Sequence, residues 1–306
     1  MSIDKVLEGK VVVVTGAGRG IGREIALLAA TYGAAVLVND PGVTPSGDLP
    51  DAGPAREVAD EIVHSGGKAL ANLDSVADPA GAERMVAAAI QTFGRIDGVV
   101  NNAGILRDRV FHKMSHAEWS AVIDVHLNGS FNVARAAAQY FKDQGSGSYV
   151  HFTSGTGLIG NFGQSNYGAA KAGIVGLSRS IAIDMEKFGV RSNCVSPFAF
   201  TRMINGIRAT DDASAKRIER LKNMGAEKVA PLVVFLLGDA AHEVTGQVFA
   251  VRQNEVFLMS QPRPLRTVHR SEGWDPGTLA THMLPAFRSS LYKLERSADV
   301  FAWDPI

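Results

Sequence analysis

Apolar positions along the chain fall into two alternating rhythms. Lys10–Thr15 is a short run of β-branched residues ending at glycine, and it predicts a buried strand. From Gly20 to Tyr32 the apolar residues Ile21, Ile25, Leu28 and Ala29 recur at helical spacing, and Gly33 stops the helix. Ala35–Asn39 then predicts a second buried strand. The same pairing repeats with a helix over Pro54–Ser65 and a strand over Lys68–Asn72, then a helix over Pro79–Phe93 and a strand over Gly98–Val100. A long helix is expected over Ser115–Lys142, before a strand at Ser148–Phe152. A helix over Tyr167–Phe188 precedes a strand at Val190–Val195, and a last helix near Ala226–Leu237 precedes Gln247–Val251. Strands that alternate with helices build parallel sheets with helices on both faces. The expectation is therefore an α/β, doubly wound, seven-stranded parallel sheet of Rossmann-like type with a C-terminal tail.

Two stretches interrupt the alternation. Pro41–Gly53 is rich in Pro, Gly and Asp and reads as a loop. Ser260–Trp274 is a basic, proline-containing excursion beyond the last strand, and Pro276–Leu294 regains helical spacing through Leu279, Met283, Leu284, Phe287 and Leu291. Neither resembles a domain linker, so the division expected is one domain over residues 1–251 and an extension over 252–306. That extension is expected to pack on the core or on a neighbouring subunit.

Composition narrows the function classes. The 306 residues are 46% hydrophobic and 20% charged, which excludes disorder of the whole chain. Lys plus Arg (31) equals Asp plus Glu (31), so nothing here suits a protein built to coat nucleic acid or an anionic membrane. Cys194 is the single cysteine, which removes an internal disulfide framework and a thiolate zinc cage. No His/Asp/Glu cluster has metal spacing, so no metal is expected. The N-terminus lacks the pattern of a secretion signal and no apolar run is long enough for a membrane helix. A soluble, cytoplasmic protein is expected.

The first strand runs into Thr15-Gly16-Ala17-Gly18-Arg19-Gly20-Ile21-Gly22 and then into the first helix. Glycines there let backbone approach a ligand, and a helix N-terminus offers N–H groups and a positive dipole end to a pyrophosphate. The plain alternative is a Gly-rich turn. Asp40 ends the second strand, where a carboxylate accepts from a ribose 2′-OH and repels a 2′-phosphate. That favours NAD over NADP. Arg19 pulls the other way, since a cation in this loop would meet a 2′-phosphate. Asp40 outweighs it by sitting directly at the strand end.

Thr15–Gly22 (TGxxxGxG), Asn101-Asn102-Ala103-Gly104 (NNAG), Ser154 and Tyr167-Gly168-Ala169-Ala170-Lys171 (YxxxK) follow in that order. Together they resemble the short-chain dehydrogenase/reductase family. Tyr167 and Lys171 lie four apart on a predicted helix and share a face. An ammonium beside a phenol favours the phenolate and lowers its pKa. Such a tyrosine takes the proton of an alcohol as hydride leaves the carbon. Ser154 is placed to hydrogen-bond the same oxygen. The resemblance implies that Lys171 also holds the nicotinamide ribose. It further implies a cofactor site of Gly16, Arg19, Gly20, Ile21, Gly22, Asp40, Asp74, Ser75, Asn102, Ala103, Gly104, Tyr167, Lys171, Pro197 and Thr201. In it Asp74 contacts adenine, and Pro197 with Thr201 flanks the nicotinamide. The glycine usual after that proline is Phe198 here.

A second departure concerns the helix after NNAG. Where the family often places an Asn that supports a proton relay from the lysine, this chain has His126, followed by Leu127-Asn128-Gly129-Ser130-Phe131. Neutral histidine carries both a donor and an acceptor and suits the same relay. A histidine simply packed between helices is the alternative, and Asn128 is read as a neighbouring, solvent-side residue.

A narrower resemblance covers residues from about 8 to 250. NNAGILRDR (Asn101–Arg109), VHLNGSF (Val125–Phe131), GNFGQSNY (Gly160–Tyr167) and APLVVFLL (Ala230–Leu237) are similar to the (3R)-hydroxyacyl-CoA dehydrogenase units of peroxisomal multifunctional enzyme type 2. This implies NAD-dependent oxidation of a (3R)-hydroxyacyl-CoA by a homodimer or homotetramer. Two other readings stay open at this point. One is a dehydrogenase of a free steroid or cyclic alcohol, the other a non-catalytic NAD-binding scaffold. Residues 201–223 mix apolar side chains with Arg202, Arg208, Arg217 and Lys222, which suits an acyl chain and CoA phosphates or equally a solvated amphipathic helix. Arg263, Arg266, His269 and Arg270 in the tail offer the same pair of readings.

Overall fold

The computed structural model describes residues 5–42, 53–199 and 224–305. Its chain order is β1 (Val11–Thr15), α1 (Gly20–Thr31), β2 (Ala35–Asn39), α2 (Gly53–His64), β3 (Lys68–Asn72), α3 (Pro79–Phe93) and β4 (Gly98–Asn101). There follow α4 (His116–Ile123), a π-helical turn (Asp124–Asn128), α5 (Gly129–Gln144), β5 (Gly147–Phe152), α6 (Gly155–Leu158), α7 (Ser165–Met185) and β6 (Val190–Phe198). The chain closes with α8 (Ala230–Leu237), β7 (Val248–Arg252), β8 (Glu255–Leu258) and short helical turns in the tail.

The sheet order is β3-β2-β1-β4-β5-β6-β7-β8. Two-residue periodicity then decides the layers. Val12 and Val14 of β1, with Val36 and Val38 of β2, face one core with Ile25, Ala29, Val233 and Leu236 from α1 and α8. Val11, Val13 and Leu37 face the other core, with Met85 and Val86 of α3 and Val133, Ala137 and Phe141 of α5. Because both faces are covered, the central strands read as unbroken apolar runs. The order reverses between β1 and β4, and the carboxyl ends of these two strands form the crevice where ligands bind in such sheets.

Two expectations need correction. The sheet has eight strands, and the last pair, β7 with β8, is antiparallel. The hairpin was hidden because its turn is Gln253-Asn254, not a glycine turn, and Gln253 takes a left-handed φ of 55°. An Arg252–Glu255 ion pair at 2.7 Å closes that turn. The second correction is that the long helix expected over Ser115–Lys142 is interrupted by the π-turn that carries His126. The tail is helical over Pro276–Thr278, Leu279–Met283 and Leu284–Phe287 in succession, with none of these residues fully buried within this chain.

The second core has a specific anchor. Phe141 has no exposed surface and its ring lies 4.8 Å from that of Tyr149. Tyr149 buries its hydroxyl by donating to the Ala134 carbonyl at 2.8 Å. Phe141→Ala leaves a cavity under β5 and is expected to lower the unfolding free energy by roughly 3–5 kcal/mol. Urea titration followed by circular dichroism measures it, and a loss below about 1 kcal/mol would contradict this packing.

Candidate active site

The glycine loop and NNAG are stitched together by one side chain. Thr15 Oγ1 accepts from the backbone N–H groups of Asn102 (3.0 Å) and Ala103 (3.1 Å) and donates to the Val100 carbonyl (3.2 Å). Asn102 Nδ2 returns two bonds of 3.0 Å, to the carbonyls of Thr15 and Gly16. Gly16 turns the chain with φ of 62°, and a Cβ on it would meet Ala103 Cα at 2.8 Å. Only glycine permits that approach. No side chain caps α1 and no acid lies in its first turn, so its leading N–H groups and dipole remain available to an anion. Asp40 Oδ2 accepts from Gly18 N at 3.0 Å and Oδ1 from Gly42 N at 2.7 Å, which aims the carboxylate along the rim of the loop. These features fit a dinucleotide.

Asp74 is turned elsewhere. Its Oδ1 takes Arg84 Nε (2.9 Å) and Nη2 (2.6 Å), and its Oδ2 takes Asn72 Nδ2 (2.9 Å). The carboxylate expected at adenine is thus tied to α3, while its neighbour Ser75 reaches the cavity wall.

β5 and α7 deliver the reactive groups. Ser154 caps α6, its Oγ accepting from Thr156 N at 3.2 Å. Tyr167 and Lys171 stand one turn apart on α7, as their spacing predicts. Lys171 is 4% exposed, its Nζ donates to the Phe152 carbonyl at 2.6 Å, and it lies 5.6 Å from the Tyr167 ring centre. Thr153 Oγ1 holds the Lys171 carbonyl at 2.7 Å. Burial pulls the Lys171 ammonium down to about 7. Tyr167 opens partly onto the cavity yet is surrounded by protein. Burial pushes it up to about 12, offset in part by a hydrogen bond with Ser154. This corrects the expectation of a phenol lowered by its lysine. Desolvation is the largest effect on the phenol, and Nζ donates to the Phe152 carbonyl.

His126 is 2% exposed, and its ring meets Tyr167 edge-on at 5.2 Å and 88°. Nε2 faces both backbone groups of Ile105, 3.1 Å from its N–H and 2.8 Å from its carbonyl, so Ile105 can serve either tautomer of the ring. Nδ1 is buried and has no hydrogen-bond partner among the described residues. Burial, reinforced by Lys171, pulls the imidazole down to about 3, so it is neutral. Asn128 is exposed and donates to Asp124 Oδ1 at 2.8 Å.

A cavity of about 470 Å³ joins these parts. Gly16, Arg19, Gly20, Ile21, Asp40, Ser75, Asn102, Ala103, Gly104, His126, Tyr167, Lys171 and Pro197 all line it, while Gly22, Asp74 and Ser154 do not. Gly22 instead packs inside α1 against the loop. Thr201 and the rest of the segment 201–223 lie outside the described residues. The expectations for the tail cations can be placed: Arg266 Nε donates to Ser290 Oγ at 2.5 Å and Arg270 pairs with Glu272 at 3.4 Å.

Asp108 and Gln164 were not legible as site residues. Gln164 Nε2 donates to Asp108 Oδ2 at 2.8 Å, and its Oε1 accepts from Thr156 Oγ1 at 3.0 Å. Desolvation raises the Asp108 carboxyl, and its charge in turn helps raise Tyr167. They are ordinary polar residues in the RDR and GQS stretches: Gln164 stands at the N-cap of the helix that carries Tyr167, and only the tertiary contact brings Asp108 to it.

The comparisons with known proteins agree with this geometry. The family described as short chain dehydrogenase matches residues 10–212. The chain is 40% identical over 295 residues to the hydroxyacyl-CoA dehydrogenase ChsB1 of Mycobacterium tuberculosis, covering 92% of this chain and 89% of that protein. A crystal structure of a short chain dehydrogenase from Mycobacterium avium matches with a TM-score of 0.82 at 40% identity, covering 94% of this chain and 97% of that one. The chain belongs to the short-chain dehydrogenases. It is also 43% identical over 267 residues to peroxisomal multifunctional enzyme type 2 of Mus musculus, covering 86% of this chain but only 34% of that longer protein. This short-chain dehydrogenase is accordingly an oxidoreductase that oxidises a hydroxyl group of a small molecule with a nicotinamide cofactor. Among its described residues no helix is long and apolar enough to cross a membrane, and no group of three or more His, Cys, Asp or Glu is placed to hold a metal ion.

Buried imidazoles make stability depend on pH. His126, and His151 on β5, are both pulled from 6.5 to about 3 by burial and by Lys171. Below pH 6.5 the unfolded chain takes up protons that the folded chain refuses, so stability falls as pH drops toward 3. The slope is at most about 1.4 kcal/mol per pH unit for each imidazole. Urea unfolding at pH 7, 6 and 5 is expected to show it, and His126→Asn to remove about half of the slope. An unchanged slope in that variant would show His126 to be readily protonated in the fold.

Proposed function

We propose that this enzyme oxidises a (3R)-3-hydroxyacyl-CoA to the 3-oxoacyl-CoA with NAD⁺. The observation that carries the chemistry is Tyr167 and Lys171 one turn apart on α7 at the wall of the cavity, with Ser154 hydrogen-bonded to Tyr167. The acyl-CoA assignment rests on the likeness to a named hydroxyacyl-CoA dehydrogenase over nearly the whole chain. The choice of NAD rests on Asp40, an anion on the cavity wall at the end of β2 that disfavours a 2′-phosphate.

The nicotinamide, when bound, supplies the hydride acceptor. The chain handles the proton. Ser154 Oγ and the Tyr167 hydroxyl hold the carbinol oxygen, and Tyr167 takes its proton as the C–H bond breaks. A phenol near 12 must hand its own proton on as it does so. Lys171, one turn on along the same face of α7 and 5.6 Å from the Tyr167 ring centre, is the ionisable group beside it. When the cofactor is bound, Lys171 would hold its ribose, as the family likeness implies. His126, whose buried Nδ1 has no partner among the described residues, is assigned to the same proton relay. Gly16, Gly20, Ile21 and Arg19 hold the pyrophosphate, with Gly22 giving the helix its close fit. Ser75 lies at the adenine end, with Asp74 bracing it through Arg84. Asn102, Ala103, Gly104, Pro197 and Thr201 are assigned to the nicotinamide side.

NAD⁺ reduction followed at the NADH absorbance tests this reading, using (3R)- and (3S)-3-hydroxyacyl-CoA esters beside steroid and cyclic alcohols, each repeated with NADP⁺. Turnover of the (3R) ester with NAD⁺ is expected. Activity confined to free alcohols would overturn the acyl-CoA assignment and leave the catalytic residues in place. Tyr167→Phe is expected to lower kcat roughly 10²–10⁴-fold while NADH affinity holds; a binding scaffold would not register the change. Asp40→Ser is expected to relax the preference for NAD⁺ over NADP⁺ by roughly 10²-fold, read as the ratio of kcat/KM values.

A further inference from the structure

The catalytic serine has a neighbour from far along the chain. Gly155 directly follows Ser154, and a Cβ built on Gly155 would run into the hydroxyl of Ser297, with Ser297 Cβ at 3.2 Å. Ser297 N donates to the Gly160 carbonyl at 3.0 Å, so the C-terminal segment grips both ends of the 155–160 stretch. Four residues later the Phe301 ring packs on Phe198 at 4.7 Å, at the end of β6 beside Pro197 of the cavity wall. The aromatic residue that stands where the family usually has glycine thus has a partner in the tail.

What fastens the tail is Arg252 at the end of β7. It is 3% exposed, and its guanidinium lies 4.5 Å from the Trp303 ring and 5.9 Å from Phe301. Nη1 donates to the Trp303 carbonyl at 2.8 Å and Nε to Glu255 Oε2 at 2.7 Å. Trp303 Nε1 donates to Glu255 Oε1 at 2.9 Å and closes the ring of contacts. A cation this deeply buried is tolerable only with its carboxylate, carbonyl and aromatic neighbours in place. Those neighbours come from the β7–β8 hairpin and from the last residues of the chain, so the hairpin and the tail dock as one unit.

We propose that residues 295–303, clamped by Arg252, position the Ser154 loop from behind, so that the tail is a part of the active site that touches no reacting atom. This rests on the catalytic role given to Ser154 above. Misplacing a group that holds the carbinol oxygen by about 1 Å lowers turnover by one to two orders of magnitude.

The test uses the full chain, NAD⁺ and (3R)-3-hydroxybutanoyl-CoA, with two independent readouts. Trp303→Ala opens the clamp and is expected to lower kcat roughly tenfold with KM for NAD⁺ unchanged. It is also expected to speed amide hydrogen exchange over residues 154–160 by about tenfold while residues 11–15 keep their protection. Trp303→Phe keeps a ring over the guanidinium and is expected to restore both. Gly155→Ala pushes directly on Ser297 and is expected to lower kcat. Gly155→Ala/Ser297→Gly removes the clash, since the next contact is Phe198 Cζ at 3.6 Å, and is expected to recover most of that loss. Unchanged exchange over 154–160 in Trp303→Ala, or a Gly155→Ala defect that Ser297→Gly does not relieve, would overturn the proposal. Tyr167→Phe is run beside them. Full turnover there would sink the catalytic reading, while the exchange data would still decide whether the tail supports the loop.

Discussion

A lysine ammonium buried in the middle of the protein organises the site. Lys171 is almost wholly out of water, and desolvation alone moves it from a permanent cation to a group that gains and loses a proton near neutrality. The fold accommodates it by giving Nζ the carbonyl of Phe152 and by fixing its backbone through Thr153. Both partners lie at the end of β5, just ahead of Ser154. Strand, serine and lysine are therefore set by the same pair of contacts. The desolvation that lowers the lysine also raises the tyrosine, so burial disfavours the charged form of both and moves their values apart.

His126 reaches this group through a defect in a helix. A π-turn carries one residue more than an α-turn and often marks a functional position. Here it places a ring on the interior side of the α4–α5 segment, against Tyr167, while Asn128, two residues on, remains in solvent. Its Nε2 is held by Ile105, immediately after NNAG, so the loop below the cofactor cavity and the acid/base group share one anchor. The buried Nδ1 has a destabilising environment unless something pairs with it. A fold that keeps such a group is trading stability for chemistry at that point.

The tail follows similar logic at a longer range. Arg252, Glu255, Phe257, Phe301 and Trp303 are not a core that periodicity announces. They surround one guanidinium, and together they seal the end of the sheet beyond β6. The left-handed Gln253 is tolerated because the ion pair across the hairpin over-determines the turn. Phe198 makes sense only beside Phe301, which is why this departure from the family pattern had no local explanation.

Local spacing determined much of this protein. Hydrophobic rhythm alone laid out the alternating elements and the doubly wound sheet, because each strand and helix face is read within a few residues of itself. The glycine loop ahead of α1, Asp40 at the end of β2 and the one-turn spacing of Tyr167 and Lys171 were legible for the same reason. The tertiary structure decided everything that depends on which groups exclude water from one another. It set the protonation of Tyr167, Lys171 and His126, diverted Asp74 to Arg84, brought Asp108 beside the tyrosine, and folded the last residues of the chain behind Ser154. Desolvation and buried charge arise between segments distant in sequence, and no local pattern carries their energy.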